Sequence, residues 1–374
     1  MNSTQRARKR ERRAAARAAK QHDALAQCLD FERVFSFEAL YAAELACRRG
    51  VMWKNSVIMF DKDRVANVRK LYDDLMSGAY EKGRPTRFTI SERGKLRRIS
   101  AVAFRDRVVQ RALCDGSLVP VVAGSLVYDN AASLKGKGTS FARRRFVERL
   151  RKARRKWGSP WVAVADFSDY FGSIDSRRVF EMLRERYLGL ASTDAERDGA
   201  ERILAVLELF ICEEEHLGLG NQTSQTAAIW YLNAIDHRAG AYGYYGRYMD
   251  DAYCICGSRE RAEEFLEMLS RESARLGLSL NMKKTRVVDP SHGEVPFLKR
   301  MYSFSADGSL EARMAAKALR CTRRHLKGVR RLHGAQVLDD ADLRAVENGV
   351  RAGCAGLTHA RGLLRRKLHV SAAR

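Results

Sequence analysis

Acidic residues are in short supply in this sequence. There are 45 Asp and Glu against 69 Lys and Arg, so the chain carries a formal net charge of +24. A field of that sign suits a polyanionic partner. Long hydrophobic runs are missing too. Nothing approaches the roughly 18 consecutive apolar residues of a membrane-spanning helix, so no membrane segment is expected. The N-terminus has charge but none of the apolar stretch of a secretory leader, and a cytoplasmic protein is expected. The eight cysteines show no paired spacing and the eight histidines no zinc pattern. Cys254 and Cys256 flank one residue of an expected strand. They point to the same face and read as buried, reduced thiols.

What is present is concentrated at Tyr248-Met249-Asp250-Asp251. It follows Tyr242-Gly243-Tyr244-Tyr245-Gly246-Arg247 and precedes Ala252-Tyr253-Cys254-Ile255-Cys256. Two β-rich runs around two adjacent acids read as a hairpin with the acids at its tip. Adjacent carboxylates disfavour joint ionisation, and a divalent cation removes that cost. Upstream, Trp161-Val162-Ala163-Val164-Ala165 has the length and apolarity of a buried strand, and Asp166 stands at its end. A strand delivering one carboxylate and a hairpin delivering two more meet the needs of two-metal nucleotidyl transfer, with ions about 3.5–4 Å apart. The competing reading has Asp166 capping a helix that begins near Ser168. Asp169 and Asp175 read as capping or surface acids.

With these residues in place the sequence resembles the reverse transcriptases. Further blocks support the resemblance in the family's order, from near Trp53 to near Ser303. Lys95-Leu96-Arg97-Arg98-Ile99 resembles the segment that meets the incoming triphosphate, with Lys95 and Arg98 implied as its counter-charges. Phe104 to Gln110, Tyr128-Asp129-Asn130 and Lys135 to Thr139 resemble the blocks that follow. Gly218-Leu219-Gly220-Asn221-Gln222-Thr223-Ser224-Gln225 resembles the template and nucleotide-positioning motif. In this motif Leu219, Gly220, Ser224 and Gln225 are implied to shape the template-side pocket. Leu280 to Thr285 resembles the palm lysine motif, and Val295-Pro296-Phe297-Leu298 the primer grip, where Phe297 and Leu298 would press on the primer.

The family's chemistry then implies roles. Asp166, Asp250 and Asp251 would bind two Mg²⁺, for which Mn²⁺ can substitute, and Lys284 would protonate or hold the leaving pyrophosphate. Phe167 and Phe171 would contact substrate, Phe171 by leaving no room for a 2′-hydroxyl, which selects dNTPs. The form around Gly220 is most similar to that of prophage and diversity-generating retroelements. Retroviral relatives carry Gln and Pro where this chain has Leu219 and Gln225, and lower fidelity is implied. Lys299 replaces the usual Gly at the grip. The implied partners are template RNA, a primer or cDNA, dNTPs, a cognate structured RNA and a small basic accessory protein, with no membrane.

The implied fold is an α+β right-hand polymerase with a ferredoxin-like palm. Residues 1–24 form a basic tail, 25–155 fingers, 156–303 palm and 310–374 a short helical thumb. The tail holds 8 Lys/Arg against 2 acids and the thumb 15 against 5. Helices are expected near 36–48, 63–77, 104–114, 140–156 and Ser258–Leu276. Other readings stand open: an RNA-dependent RNA polymerase, a phage-defence enzyme with protein-primed or untemplated synthesis, and a non-catalytic RNA-binding protein on the same fold.

Overall fold

The computed structural model describes residues 25–92, 95–354 and 357. The basic tail at 1–24 and most of the C-terminal segment from 355 lie outside them. The expected helices are present as Phe37–Cys47, Arg64–Met76, Phe104–Leu113, Thr139–Trp157 and Arg259–Ala274. Their starts have local causes. The Ser36 hydroxyl accepts from Ala39 N–H and the Ser258 hydroxyl from Arg261 N–H, satisfying donors that a helix leaves open. Asp175 caps Ser176–Leu188 in the same way, as its sequence position suggests.

Among the described residues, nine strands form three antiparallel sheets. The first is the hairpin β1 (Thr86–Glu92) and β2 (Lys95–Ala101). The central sheet has the order β4-β5-β3-β6, from β3 (Trp161–Asp166), β4 (Tyr244–Tyr248), β5 (Asp251–Cys256) and β6 (Arg286–Val288). The third holds β7 (Val295–Phe297), β8 (Arg300–Phe304) and β9 (Leu310–Met314). Residues 310–314 thus belong to a sheet and not to a helical thumb. The turn at Ser305–Ser309, held by Asp307, folds them back onto β8. The helical part begins at Ala316 and runs to Gly334, followed by Asp340–Gly353. The acidic cluster there is a capping device: Asp339 and Asp342 form a capping box at that second helix.

The central sheet is buried on both faces, and strand alternation sorts its side chains into two cores. Ala163, Ala165, Ala252, Cys254 and Cys256 join the larger core, roofed by Ser176–Leu188, Asp194–Ile211 and Arg259–Ala274. Cys254 and Cys256 do share a face, with sulfurs 3.6 Å apart and both side chains fully buried. Val162, Val164, Tyr253 and Ile255 join a second core under helix Thr139–Trp157 and the third sheet. Phe146 centres that core, its ring 4.8–5.1 Å from those of Tyr253, Tyr302 and Phe297.

One polar network crosses the larger core. Arg247, on β4, is fully buried and forms a bidentate pair with equally buried Asp236 at 2.8 and 2.6 Å. The same guanidinium donates to the carbonyls of Ile229 at 2.7 Å and Met249 at 3.1 Å. Tyr245 donates its hydroxyl to Asp236 at 2.6 Å. Burial opposes the Arg247 charge, and Asp236 more than offsets it, so its pKa is raised. Residues 128–131 run along the edge of β4, with Ala131 N–H donating to Arg247 O and Arg247 N–H to Asp129 O. Removing one partner of such a pair strands a buried charge. Arg247→Leu is expected to lower stability by about 3–5 kcal/mol in urea denaturation. Arg259→Leu, which removes an exposed pair with Glu263 and a contact over the Trp161 ring, is expected to change it by less than about 1 kcal/mol.

Candidate active site

The end of β3 and the turn between β4 and β5 form one edge of the central sheet. Asp166 pairs in register with Asp251, and Asp251 with Tyr248, so the acids are delivered together. The turn residues are Met249 and Asp250, and Met249 takes φ 55°, an uncommon conformation for a side-chain-bearing residue. The Arg247 bond to Met249 O holds that turn from beneath, and Phe167 N–H reaches Asp250 O at 3.3 Å. Asp166 ends a strand, and the next helix begins only at Tyr170, so its side chain is no helix cap. Asp169 has φ 39° and makes no side-chain capping bond.

Asp166 and Asp250 line a cleft of about 1320 Å³ walled by the β1–β2 hairpin, Phe171, Leu219 and Lys284, and Asp251 lies behind them, paired with Asp166 across the strands. Their electrostatics are those of a crowded anionic site. Burial, then Asp250 and Asp166, push Asp251 up to about 7. Burial and the nearby Asp166 also raise Asp250. Lys284 donates to both oxygens of Asp166 at 2.7 Å. Burial works against its ammonium, but the bonds to Asp166 prevail and its pKa is raised. Asn281 adds its backbone N–H to Asp166 O at 2.7 Å.

Among the described residues no three His, Cys, Asp or Glu side chains stand ready-arranged as a cation cage. The donor set still fits a hard cation. All its atoms are carboxylate oxygens, the kind that Mg²⁺ takes, and their crowding leaves negative charge that one ammonium offsets in part. Lys284 now occupies Asp166, and its side chain is half exposed, free to swing aside for a cation.

The other expected site residues separate into two groups. Phe171, Leu219 and Arg98 line the cleft. Gly220 does not, but its role is clear: with φ 100° it lets the loop approach β2, where a Cβ would lie 3.1 Å from Ile99 Cγ2. Ser100 N–H donates to Leu219 O at that approach. Ser224 is buried inside helix Gln222–Tyr231, and Gln225 is exposed with its amide oxygen 3.4 Å from Ser133 Oγ, so neither forms the cleft wall.

Burial bears on two aromatics. Phe167 lines the cleft, with its ring 3 % exposed and packed on Tyr170. The Phe297 ring is 4 % exposed and spent on Phe146 and Tyr253, so it cannot press on a primer. Leu298 is buried in the same core, so what the β7–β8 hairpin can present is the backbone of its turn and exposed Lys299, with Leu298 and Lys299 at φ 46° and 68°. Lys299 itself adopts the left-handed backbone that a glycine would supply. Arg143 clamps the turn by donating to Leu298 O at 2.7 Å.

The Lys95 side chain lies outside the described residues. Arg97 is the residue the sequence motif left out. It lines the cleft, and its charge is felt at Asp250. Strand period was the available signal: Arg97 and Ile99 share one face of β2, whereas Arg98 lies on the other.

The acids also set a pH dependence. A free carboxyl titrates near ~3.9, so between about pH 4 and the folded value of about 7 the native chain binds more protons at Asp251 than the unfolded chain does. Stability of the cation-free protein therefore falls as pH rises through that window. Asp251→Asn is expected to raise the Tm over wild type more at about pH 8 than at about pH 4, in thermal melts with chelator. An equal rise at both would contradict the charge crowding.

No curated relative matches the sequence. Among solved structures, one similar in shape is telomerase from Candida albicans in complex with a fragment of telomeric RNA. It aligns with a TM-score of 0.46 and 12% identity, over 63% of this chain and 46% of that one. The chain thus spans under half the length of that structure. No helix among the described residues is long and apolar enough to cross a membrane. Residues 82–299, which carry the hairpin, the cleft and all three acids, match the family described as reverse transcriptase (RNA-dependent DNA polymerase), and the chain belongs to that family with its right-hand polymerase fold.

Proposed function

We propose that this protein copies an RNA template into cDNA by two-metal nucleotidyl transfer, as part of a bacterial or phage retroelement. One observation carries the reading: the register that sets Asp166 opposite Asp251, with Asp166 and Asp250 lining an arginine-walled cleft. Family membership supports the reaction class. In this reading residues 25–155 act as fingers, 156–303 as palm and the helices from 316 as thumb.

Asp166, Asp250 and Asp251 would hold two Mg²⁺, or Mn²⁺ in its place. When bound, these ions supply a lowered pKa at the primer 3′-hydroxyl and charge neutralisation at the leaving pyrophosphate. The chain's own residues do the rest. Arg97 and Arg98 offer guanidinium charge to the triphosphate, as planar donors matched to phosphate. Lys95 joins them in this reading. Phe171 fills the space beside the sugar and disfavours a 2′-hydroxyl. Lys284, released from Asp166, is placed to hold or protonate the pyrophosphate. The Leu298–Lys299 turn meets the primer strand.

Leu219 supports the finer reading as an error-prone, diversity-generating type. It presents an apolar side chain to the cleft where retroviral relatives carry a glutamine. A cognate structured RNA and a small basic accessory protein belong to the same reading.

Primer extension on RNA tests the proposal. Wild-type protein with Mg²⁺ is expected to extend with dNTPs and not with NTPs. Asp250→Ala/Asp251→Ala is expected to lose more than about 100-fold, since losing ligands costs more than losing their outer partners. Failure to extend any primer, on any RNA including the flanking transcript, would sink the reading. Phe171→Ala is expected to lower the dNTP-over-NTP preference by about 10- to 100-fold in kcat/KM. An unchanged preference would remove Phe171 as the sugar gate.

A further inference from the structure

Helix Thr139–Trp157 carries nine Lys and Arg and one acid among its 19 residues. The fold divides the nine into two sets. Arg143, Arg145, Arg149 and Arg154 are engaged: with Leu298 O, with Asp129 for the middle two, and with Ser291. The one acid, Glu148, is engaged with Arg145. Arg144, Arg151, Lys152, Arg155 and Lys156 are exposed, and none has a carboxylate partner among the described residues.

Geometry makes a single face of these five. At 3.6 residues per turn, Arg144, Arg151 and Arg155 fall within about 40° of arc and span roughly 16 Å, with Lys152 and Lys156 alongside. Phe146, Leu150 and Ala153, buried against the second core, point the opposite way. None of the five lines the catalytic cleft. Lys152 lies 5.5 Å from the Tyr244 ring and Lys156 4.9 Å from the Trp157 ring, so aromatic faces steady two of the charges.

Helix Arg259–Ala274 makes the contrast. On helix Arg259–Ala274, Arg259 pairs with Glu263, Arg261 with Glu264 and Arg271 with Glu272. Like charges at i, i+4 destabilise a helix, so five unpaired cations on one face are a cost that an external polyanion would remove. The face has no large apolar side chain to anchor a protein partner or enter a bilayer. Dense charge without apolar anchors is the chemistry of phosphate-backbone binding.

We propose that this face is a second nucleic-acid surface, separate from the cleft, which holds the phosphate backbone of RNA beyond the stretch being copied. It rests on the polymerase reading only in that the RNA is the one being copied.

The test uses the full chain carrying Arg144→Gln, Arg151→Gln, Lys152→Gln, Arg155→Gln and Lys156→Gln together. Affinity is measured against salt for two probes: a short RNA–primer duplex that fills the cleft alone, and the same duplex continued into an RNA hairpin. On the extended RNA the slope of log K against log salt is expected to shrink by roughly 3.5–4.5 for five lost contacts. On the short duplex both the slope and the extension rate are expected to stay at wild-type values. A variant with Arg144, Arg151 and Arg155 changed to Lys is expected to keep the wild-type slope. Equal loss on the short duplex would overturn the proposal by placing the face in the cleft's own duplex path. An unchanged slope on the extended RNA would overturn it too, and loss of polyglutamate binding alone would point to an acidic protein partner instead. If wild-type protein extends nothing yet the slope difference holds, the polymerase reading fails and this surface stands.

Discussion

A buried arginine holds the catalytic edge together. Arg247 lies directly before Tyr248-Met249-Asp250-Asp251 and reaches in two directions from inside the core. On one side its guanidinium is locked to Asp236 and Ile229 O; on the other it donates to Met249 O, the carbonyl of the turn that carries Asp250. The turn needs such support, because Met249 sits in a backbone region that side-chain-bearing residues rarely adopt. The pair contributes little net stability compared with a well-packed apolar core, since desolvating both charges offsets their attraction. What it contributes is geometry: planar, bidentate donors allow one arrangement of the strand end, and the acids inherit it.

Around that anchored turn the chain builds an anionic centre inside a cationic shell. Asp250 and Asp251 are held above the usual carboxylate range by burial and by neighbouring carboxylates, and Lys284 sits across both oxygens of Asp166. Arg97 and Arg98 both line the cleft from β2. A centre of this kind is incomplete without cations, and a shell of this kind attracts polyphosphate. The exposed face of helix Thr139–Trp157 extends the same sign of charge to the outside, while its engaged arginines tie Asp129 and the β7–β8 turn to the helix.

Much of this was legible residue by residue. Asp166 at a strand end and Asp250-Asp251 at a hairpin tip follow from apolar runs that break at acids, and the fold places them so. Phe171, Leu219 and Lys284 line the cleft as the motif order implies. The Phe297 ring did not keep its expected contact, because a motif names a residue without saying which face of the strand it occupies. Arg97 was overlooked for the same reason. Residues 310–314 read as the start of a helical region because nothing in five residues announces the strand they must pair with.

The linear order of residues carries the chemical groups: three carboxylates at strand ends, a surplus of basic residues, and the periodicities that make each helix and strand. Those depend on neighbours a few residues away. Which side chains share a cavity is set by packing. The pairing of Asp166 with Asp251 joins residues 85 positions apart, and the Lys284 bridge to Asp166 joins residues 118 apart. Burial of Phe297 against Phe146, and the sorting of nine cations on one helix into engaged and open sets, arise the same way. Contacts of that range come from packing two cores against one sheet, and no local pattern in the chain encodes them.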